Sequence, residues 1–194
     1  YVVLSVNYRG GIGYGKDFEQ ANHMAMLQVD LGDVIAAARY LRTLDFVDPD
    51  RIGVYGLSYG GYLTLGALTK HPGTFCMGIN IAGIWDEEQW CRWADERYPD
   101  AAAYFRSKLG WSEHEHPDVW REASPKNFVE GLNVPLINFH GTADANVDFA
   151  QLDAIIRDCV EHGKYYEAYY YPDEVHVFRW RKTWRDALPR MLQA

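Results

Sequence analysis

The chain has 194 residues, enough for one domain; at this size roughly 70% of the unfolded surface can be buried. Hydrophobic residues make up 48% and charged residues 24%, which excludes disorder and low complexity as the main state. The 27 acids against 19 bases leave a net charge of −8 with no basic run, which argues against nucleic acid as a partner, and no apolar stretch approaches the ~20 residues that span a bilayer.

The first segment, Tyr1 to Tyr8, is a β-branched and aromatic run that predicts a strand ending in the turn Arg9-Gly10-Gly11. It starts without Met and without a signal peptide, so the chain reads as a piece of a longer polypeptide whose compartment, cytoplasmic or exported, stays open. The glycine run from Gly10 to Gly15 invites a nucleotide reading. Lys16 stands where G-x-G-x-x-G needs its last Gly, and Asp17 follows Lys16 where a P-loop needs Ser or Thr, so the run is a turn-rich loop.

Asp30 to Leu41 places apolar residues at 31, 34, 35, 38 and 41, one face of a helix, with Asp30 as N-cap or first-turn acid. Ile52 to Leu57 reads as a short buried strand and Tyr62 to Thr69 as a helix closed by His71-Pro72-Gly73. Met77 to Ile81, Pro135 to Phe139 and Glu167 to Tyr171 are further strands. Leu152 to Val160, stopped by Gly163, and Trp180 to Met191 are further helices. Strands apolar along their whole length and spaced by helices predict an α/β fold, a mostly parallel sheet covered on both faces. The Trp- and acid-rich stretch from about 84 to 128 breaks the rhythm and reads as a helical insert over the sheet.

Gly56-Leu57-Ser58-Tyr59-Gly60 matches G-x-S-x-G between a predicted strand and a predicted helix, the context of a nucleophile elbow. In that context the small residues let the backbones pass closely, and the N–H of Tyr59 points where an oxyanion forms. A serine hydroxyl needs a base. Asp144 follows the strand ending at Phe139, and His176 follows the strand ending at Tyr171, so all three sit at the C-terminal edge of a parallel sheet. Their chain order, Ser then Asp then His, is that of α/β-hydrolases. His176 is then the general base for Ser58, and Asp144 orients it.

The other histidines carry plainer readings. His114 and His116 have no third metal ligand nearby in sequence, so no metal and no cofactor is expected. His71 is a helix-end or surface residue, and His140 is structural, hydrogen-bonding near the Asp144 loop. Cys76, Cys91 and Cys159 read as small buried hydrophobes, with one disulfide left open for an exported protein.

Four segments together resemble the catalytic domain of the prolyl oligopeptidase family of serine peptidases, which includes dipeptidyl peptidase IV and acylaminoacyl peptidases. They are Val6 to Gly10 with Gly13-Tyr14-Gly15; Gly56 to Tyr62; His140 to Asp144 with Asn146-Val147; and Asp173 to His176. The resemblance covers nearly the whole chain and implies an α/β-hydrolase domain over 1–194. It implies that Asn146 bonds a substrate carbonyl, that Tyr59 both donates an oxyanion N–H and lines a specificity pocket, and that Val147 walls it. Trp85 and Trp90, near Glu96-Arg97-Tyr98, match pocket aromatics through a gapped alignment; aromatic packing within the insert is the alternative.

The sequence also departs from the family. The N-terminal β-propeller is absent, and with it the glutamates that hold a substrate amino terminus in dipeptidyl peptidases. The upstream oxyanion loop is absent too, and the strand it follows belongs inside the sheet, between the strands at Tyr1 and Ile52. A sheet lacking it has unpaired edges, so the chain alone is expected to be unstable or to pair with another chain, and a homo-oligomer is left open. Three functions remain: a serine peptidase acting on short peptides through an acyl-enzyme, a carboxylesterase on the same triad, and a non-catalytic fragment acting as an interaction piece.

Overall fold

The computed structural model describes residues 1–193. Its element order is α1 (Lys16–Gln20), α2 (Val29–Leu41), β1 (Val54–Leu57), α3 (Tyr59–Lys70), β2 (Gly78–Ile81), α4 (Glu87–Arg97), α5 (Pro99–Lys108), α6 (Pro117–Ala123), a 3₁₀ segment Pro125–Gly131, β3 (Leu136–Gly141), α7 (Ala150–Glu161), β4 (Tyr166–Tyr171) and α8 (Arg181–Gln193). The four strands pair in parallel in the order β1-β2-β3-β4, so every connection is a crossover.

Alternation along each strand sends side chains to two layers. Leu136 and Val54 join the larger core, built with α2, α3, the insert and α7; Ile79, Ile81, Ile137 and Phe139 join a second core closed by Phe178 and α8 through Ala187 and Trp184. The sheet is therefore covered on both faces, as its apolar strands require. α3 is the buried helix, with every residue from Gly61 to Thr69 inside, which explains why its sequence is apolar all round.

The sequence expectation fails at the first segment. Tyr1 to Tyr8 forms no strand and is mostly exposed; the Tyr1 hydroxyl instead donates to the Leu192 carbonyl on α8 at 3.1 Å. A β-prone run becomes a strand only where a neighbour offers a ladder, and no strand among the described residues pairs with it or with the outer edge of β1, where Tyr55 is exposed. Two smaller corrections accompany this. The short helix α1 was not anticipated after the glycine loop, and Cys76 is exposed, whereas Cys91 and Cys159 are buried and all three thiols are free. Among the described residues no helix is long and apolar enough to cross a membrane.

The stretch between β2 and β3 carries the helices α4, α5 and α6. Its start is fixed by Asp86, whose carboxylate accepts the Gln89 N–H at 3.1 Å as the N-cap of α4, while Pro99 and Pro117 open α5 and α6. Trp85 ties the insert to α7: its backbone N–H donates to Gln151 Oε1 at 2.7 Å and its indole N–H to Asp158 at 2.6 Å.

Candidate active site

Ser58 sits between β1 and α3 with φ 58° and ψ −119°, a left-handed conformation that a side-chain-bearing residue holds only when its surroundings impose it. The imposing contacts are visible. A Cβ at Gly56 would collide with the carbonyl group of Gly60, and one at Gly61 would meet Asn80 Oδ1 and the Gly83 backbone. A Cβ at Gly60 would meet nothing, so the close approach rests on Gly56 and Gly61 rather than on the residue two after the serine. The Ser58 N–H is bonded to the Ile81 carbonyl at 2.8 Å, and its hydroxyl makes no capping bond to α3. A serine at a helix start ordinarily spends its oxygen on a cap; here the oxygen is left free, above the unpaired N–H groups of α3.

Below this turn lies a buried asparagine ladder that the sequence reading missed. Asn80 and Asn138 are register partners on β2 and β3. Asn80 Nδ2 donates to Asn138 Oδ1 at 3.0 Å, Asn138 Nδ2 donates to the Glu167 carbonyl at 3.1 Å, and Asn80 Oδ1 accepts the Gly83 N–H at 2.9 Å. The ladder fixes the loop that packs against Gly61. Its only sequence signal is an Asn at the same position of two apolar strands.

Asp144 and His176 come together. His176 Nδ1 lies 2.8 Å from Asp144 Oδ2, with the Asp144 side chain fully buried and the His176 side chain 14% exposed. β1 and β4 are three strand spacings apart, roughly 14 Å, so the loop after β4 has to fold back over β3. It is clasped there: Thr142 N–H bonds the Tyr171 carbonyl at 3.0 Å, Ala143 N–H the Glu174 carbonyl at 2.9 Å, and Asp173 N–H the Thr142 hydroxyl at 3.0 Å. A Cβ at Gly141 would collide with the Glu174 carbonyl, so this glycine permits the clasp. The buried Glu174 carboxylate accepts the N–H groups of Arg179 and Trp180 and the Thr183 hydroxyl, anchoring the loop to the start of α8.

Asp144 is saturated with donors. Oδ1 accepts from the N–H groups of Asn146 at 2.8 Å and Val147 at 2.9 Å. Oδ2 faces both His176 and His140 Nε2, the latter at 3.3 Å and also 3.0 Å from the Val147 carbonyl. That nitrogen faces two acceptors and so carries the proton. Burial alone would raise the Asp144 pKa, but the bonds from His140, His176, Val147 and Asn146 outweigh it and hold the carboxyl well below the usual range. Asp144 is therefore an ionised partner for His176. Among the described residues Ser58 Oγ makes no hydrogen bond to His176, whose one side-chain bond is to Asp144.

The remaining predicted residues divide. Asn146 is exposed beside Asp144, while Val147 is buried and spends both backbone groups on the Asp144 turn. Trp90 is buried on α4, donates its indole N–H to the Asn146 carbonyl at 2.9 Å and packs on Phe105 at 4.6 Å between centroids, so it braces the acid loop. Trp85 has no exposed surface and both its N–H groups are occupied; its expected place in a substrate pocket is corrected to a place in the core. Tyr59 does border a cavity of about 120 Å³, with Tyr8, Met26, Tyr104 and Phe105 among its walls.

A parallel sheet with a strained serine turn and a buried Asp–His pair at its C-terminal edge is the architecture of an α/β-hydrolase fold. The comparisons specify it further. The prolyl oligopeptidase family model matches residues 1–193, so the chain belongs to that family. It is 30% identical over 185 residues to dipeptidyl peptidase 8 of Homo sapiens, covering 92% of this chain and 19% of that protein, and 32% identical over 177 residues to dipeptidyl peptidase 4 of Felis catus, covering 90% and 22%. Among solved structures, a puromycin-hydrolyzing peptidase of Mycobacterium tuberculosis superposes with a TM-score of 0.88 at 25% identity over 96% of this chain and 28% of its own. Porphyromonas gingivalis dipeptidyl peptidase 4 superposes with a TM-score of 0.83 at 27% identity over 96% and 25%. The chain thus spans about a fifth of the length of these curated relatives.

Proposed function

We propose that this chain carries the nucleophile, base and acid of a serine peptidase that hydrolyses short peptides through an acyl-enzyme. The observation that carries the reading is the 2.8 Å bond between His176 Nδ1 and an ionised, buried Asp144, on the same sheet edge as the strained turn of Ser58. Asp144 fixes the His176 tautomer with the proton on Nδ1, leaving Nε2 free to accept one. His176 Nε2 takes the proton of Ser58 Oγ as that oxygen attacks the scissile carbonyl carbon. The carbonyl oxygen becomes an anion facing the Tyr59 N–H and the start of α3. Collapse breaks the C–N bond, His176 returns its proton to the departing amine, and an ester on Ser58 remains. Water, deprotonated by His176, attacks that ester and releases the acid and the serine.

Asn146, exposed beside the acid, is the donor for a substrate carbonyl; Tyr59 and Val147, braced by Trp90, form the wall near the reacting bond. The dipeptidyl peptidase and peptidase names of the relatives favour peptide amides over simple esters as substrates. The test is reaction with an alkyl fluorophosphonate, read by intact mass. One adduct on the chain and none on Ser58→Ala supports the reading; no adduct on a chain shown to be folded by circular dichroism overturns it. Hydrolysis of aminoacyl anilides by the labelled-competent protein then separates peptidase from esterase.

A further inference from the structure

Tyr59 is held through its side chain by groups that take no part in the chemistry proposed above. Its hydroxyl donates to Asp30 Oδ2 at 2.5 Å. Asn22 Nδ2 donates to that hydroxyl at 3.2 Å and reaches Asp30 Oδ2 at 3.4 Å. Lys108 Nζ donates to Asn22 Oδ1 at 2.9 Å and to the Glu19 carbonyl at 2.7 Å. Asp30 is 0% exposed, Asn22 4% and Lys108 6%. Three separate segments, α2, the loop before it and α5, thus contribute buried polar groups to one network that ends on the residue after the nucleophile.

The helix explains only one oxygen of Asp30. Its Oδ1 takes the Leu31 N–H, one of the donors that a first turn leaves unpaired, but the N-cap of α2 is Gln28 and Oδ2 points away from that turn's N–H groups to Tyr59 and Asn22. The Asp30 carboxylate is buried and held by a phenol, an amide and the Leu31 N–H rather than by a cation, so part of its burial cost is uncompensated by charge pairing. The contact it makes is with a ring already confined on other sides. Tyr8 stacks on Tyr59 at 5.6 Å and 18°, Tyr62 meets it edge-on at 5.2 Å, and Phe105 lies at 6.4 Å. The same ring borders the cavity of about 120 Å³, which Asn22 and Lys108 also line. The bonds to the hydroxyl restrain the far end of a ring whose faces and edge those aromatics already contact.

We propose that Asp30 is a positioning residue: by holding the Tyr59 hydroxyl it sets the tilt of the ring and so the size of the group accepted beside Ser58. This rests on the serine reading above. The test compares the labelling rates of a small alkyl fluorophosphonate and a bulky aryl-alkyl one on the wild type, Asp30→Asn, Tyr59→Phe and the double variant, with thermal melts as a control on folding. The expected result is that Asp30→Asn lowers the bulky-to-small rate ratio about tenfold, that Tyr59→Phe does the same, and that the double variant falls no further than either. Equal loss with both probes, an unchanged ratio, or two additive effects overturns the proposal, because a purely architectural acid would not act through the Tyr59 hydroxyl. If Asp30→Asn fails to fold, Tyr59→Phe leaves α2 intact, and its ratio decides. Absence of labelling by either probe on the folded wild type refutes the serine reading, an outcome distinct from an unchanged ratio.

Discussion

Glu87 opens α4 and is the least accommodated acid in the fold. It has no exposed surface, and neither carboxylate oxygen has a hydrogen-bond partner. Burial, with smaller contributions from the nearby charges of Asp86 and Asp30, pushes its pKa up to about 8. The sign of the consequence follows. Between about pH 5 and 8 the folded chain holds a proton on Glu87 that the unfolded chain, with an ordinary glutamate pKa near 4.3, has released, so the unfolded state gains as pH rises. Each pH unit in that window removes about 1.4 kcal/mol of stability through this one group, about 4 kcal/mol from pH 5 to 8. Glu87→Gln keeps the shape and removes the titration, while its amide still lacks partners at a cost of about 1–3 kcal/mol. That cost does not depend on pH. The expected result is a variant close to or below the wild type at pH 5 and more stable than it at pH 8, the difference growing steadily between them. Urea unfolding at half-unit pH steps, with fixed ionic strength and constant m-values, measures it. A difference flat across the window would refute the account of Glu87 as a buried, proton-bearing acid.

Other outcomes are expected from the site. Asp144→Asn should cut the rate of Ser58 labelling by several orders of magnitude, since the tautomer of His176 is no longer fixed; single-turnover labelling of the folded variant checks it. Gly56→Ala should cost more than about 3 kcal/mol or prevent folding, because its Cβ meets the Gly60 carbonyl rather than a movable side chain; Gly60→Ala, with open space at its Cβ, should be tolerated far better, and paired urea melts compare them. Glu174 is held below the ordinary glutamate range: burial raises its pKa, and bonds from Thr183, Arg179 and Trp180 outweigh that. Its stabilisation is present above pH ~4.3 and is lost as pH falls toward its folded value, so Glu174→Gln should show a shallower loss of stability than the wild type from pH 5 to 3 in acid titrations.

The serine turn was legible because its chemistry is local. A strained strand-to-helix turn needs Gly56 and Gly61 within a few residues of Ser58, and the sequence displays them together. Asp144 and His176 were legible for a second reason: a parallel sheet delivers the ends of successive strands to one edge, so finding β3 and β4 finds the loops after them. What stayed hidden depends on partners far away in the chain. Tyr1 to Tyr8 has the composition of a strand and no ladder to join. Trp85 and Trp90 are five residues apart in one Trp-rich segment; Gln151 and Asp158 on α7 draw the first inward, whereas the second reaches the Asn146 carbonyl. Nothing local distinguishes them.

The acids make the same point in energetic form. Asp144 and Glu87 are both buried, and burial pushes both toward the neutral form. Asp144 receives two backbone N–H groups and two imidazoles and remains charged; Glu87 receives none and keeps its proton. In the sequence the first follows Gly-Thr-Ala and the second stands in the run Asp86-Glu87-Glu88, where a solvated helix start is the natural reading. The charge that orients a base is thus a property of the turn around Asp144 and of His140 behind it, not of the aspartate. By this logic His140→Ala, which takes away a donor without touching the Asp144–His176 bond, should raise the Asp144 pKa and weaken the acid loop. A carboxylate that titrates no higher in the variant, read by carbon NMR of labelled aspartate, would show that the two backbone N–H groups and His176 suffice.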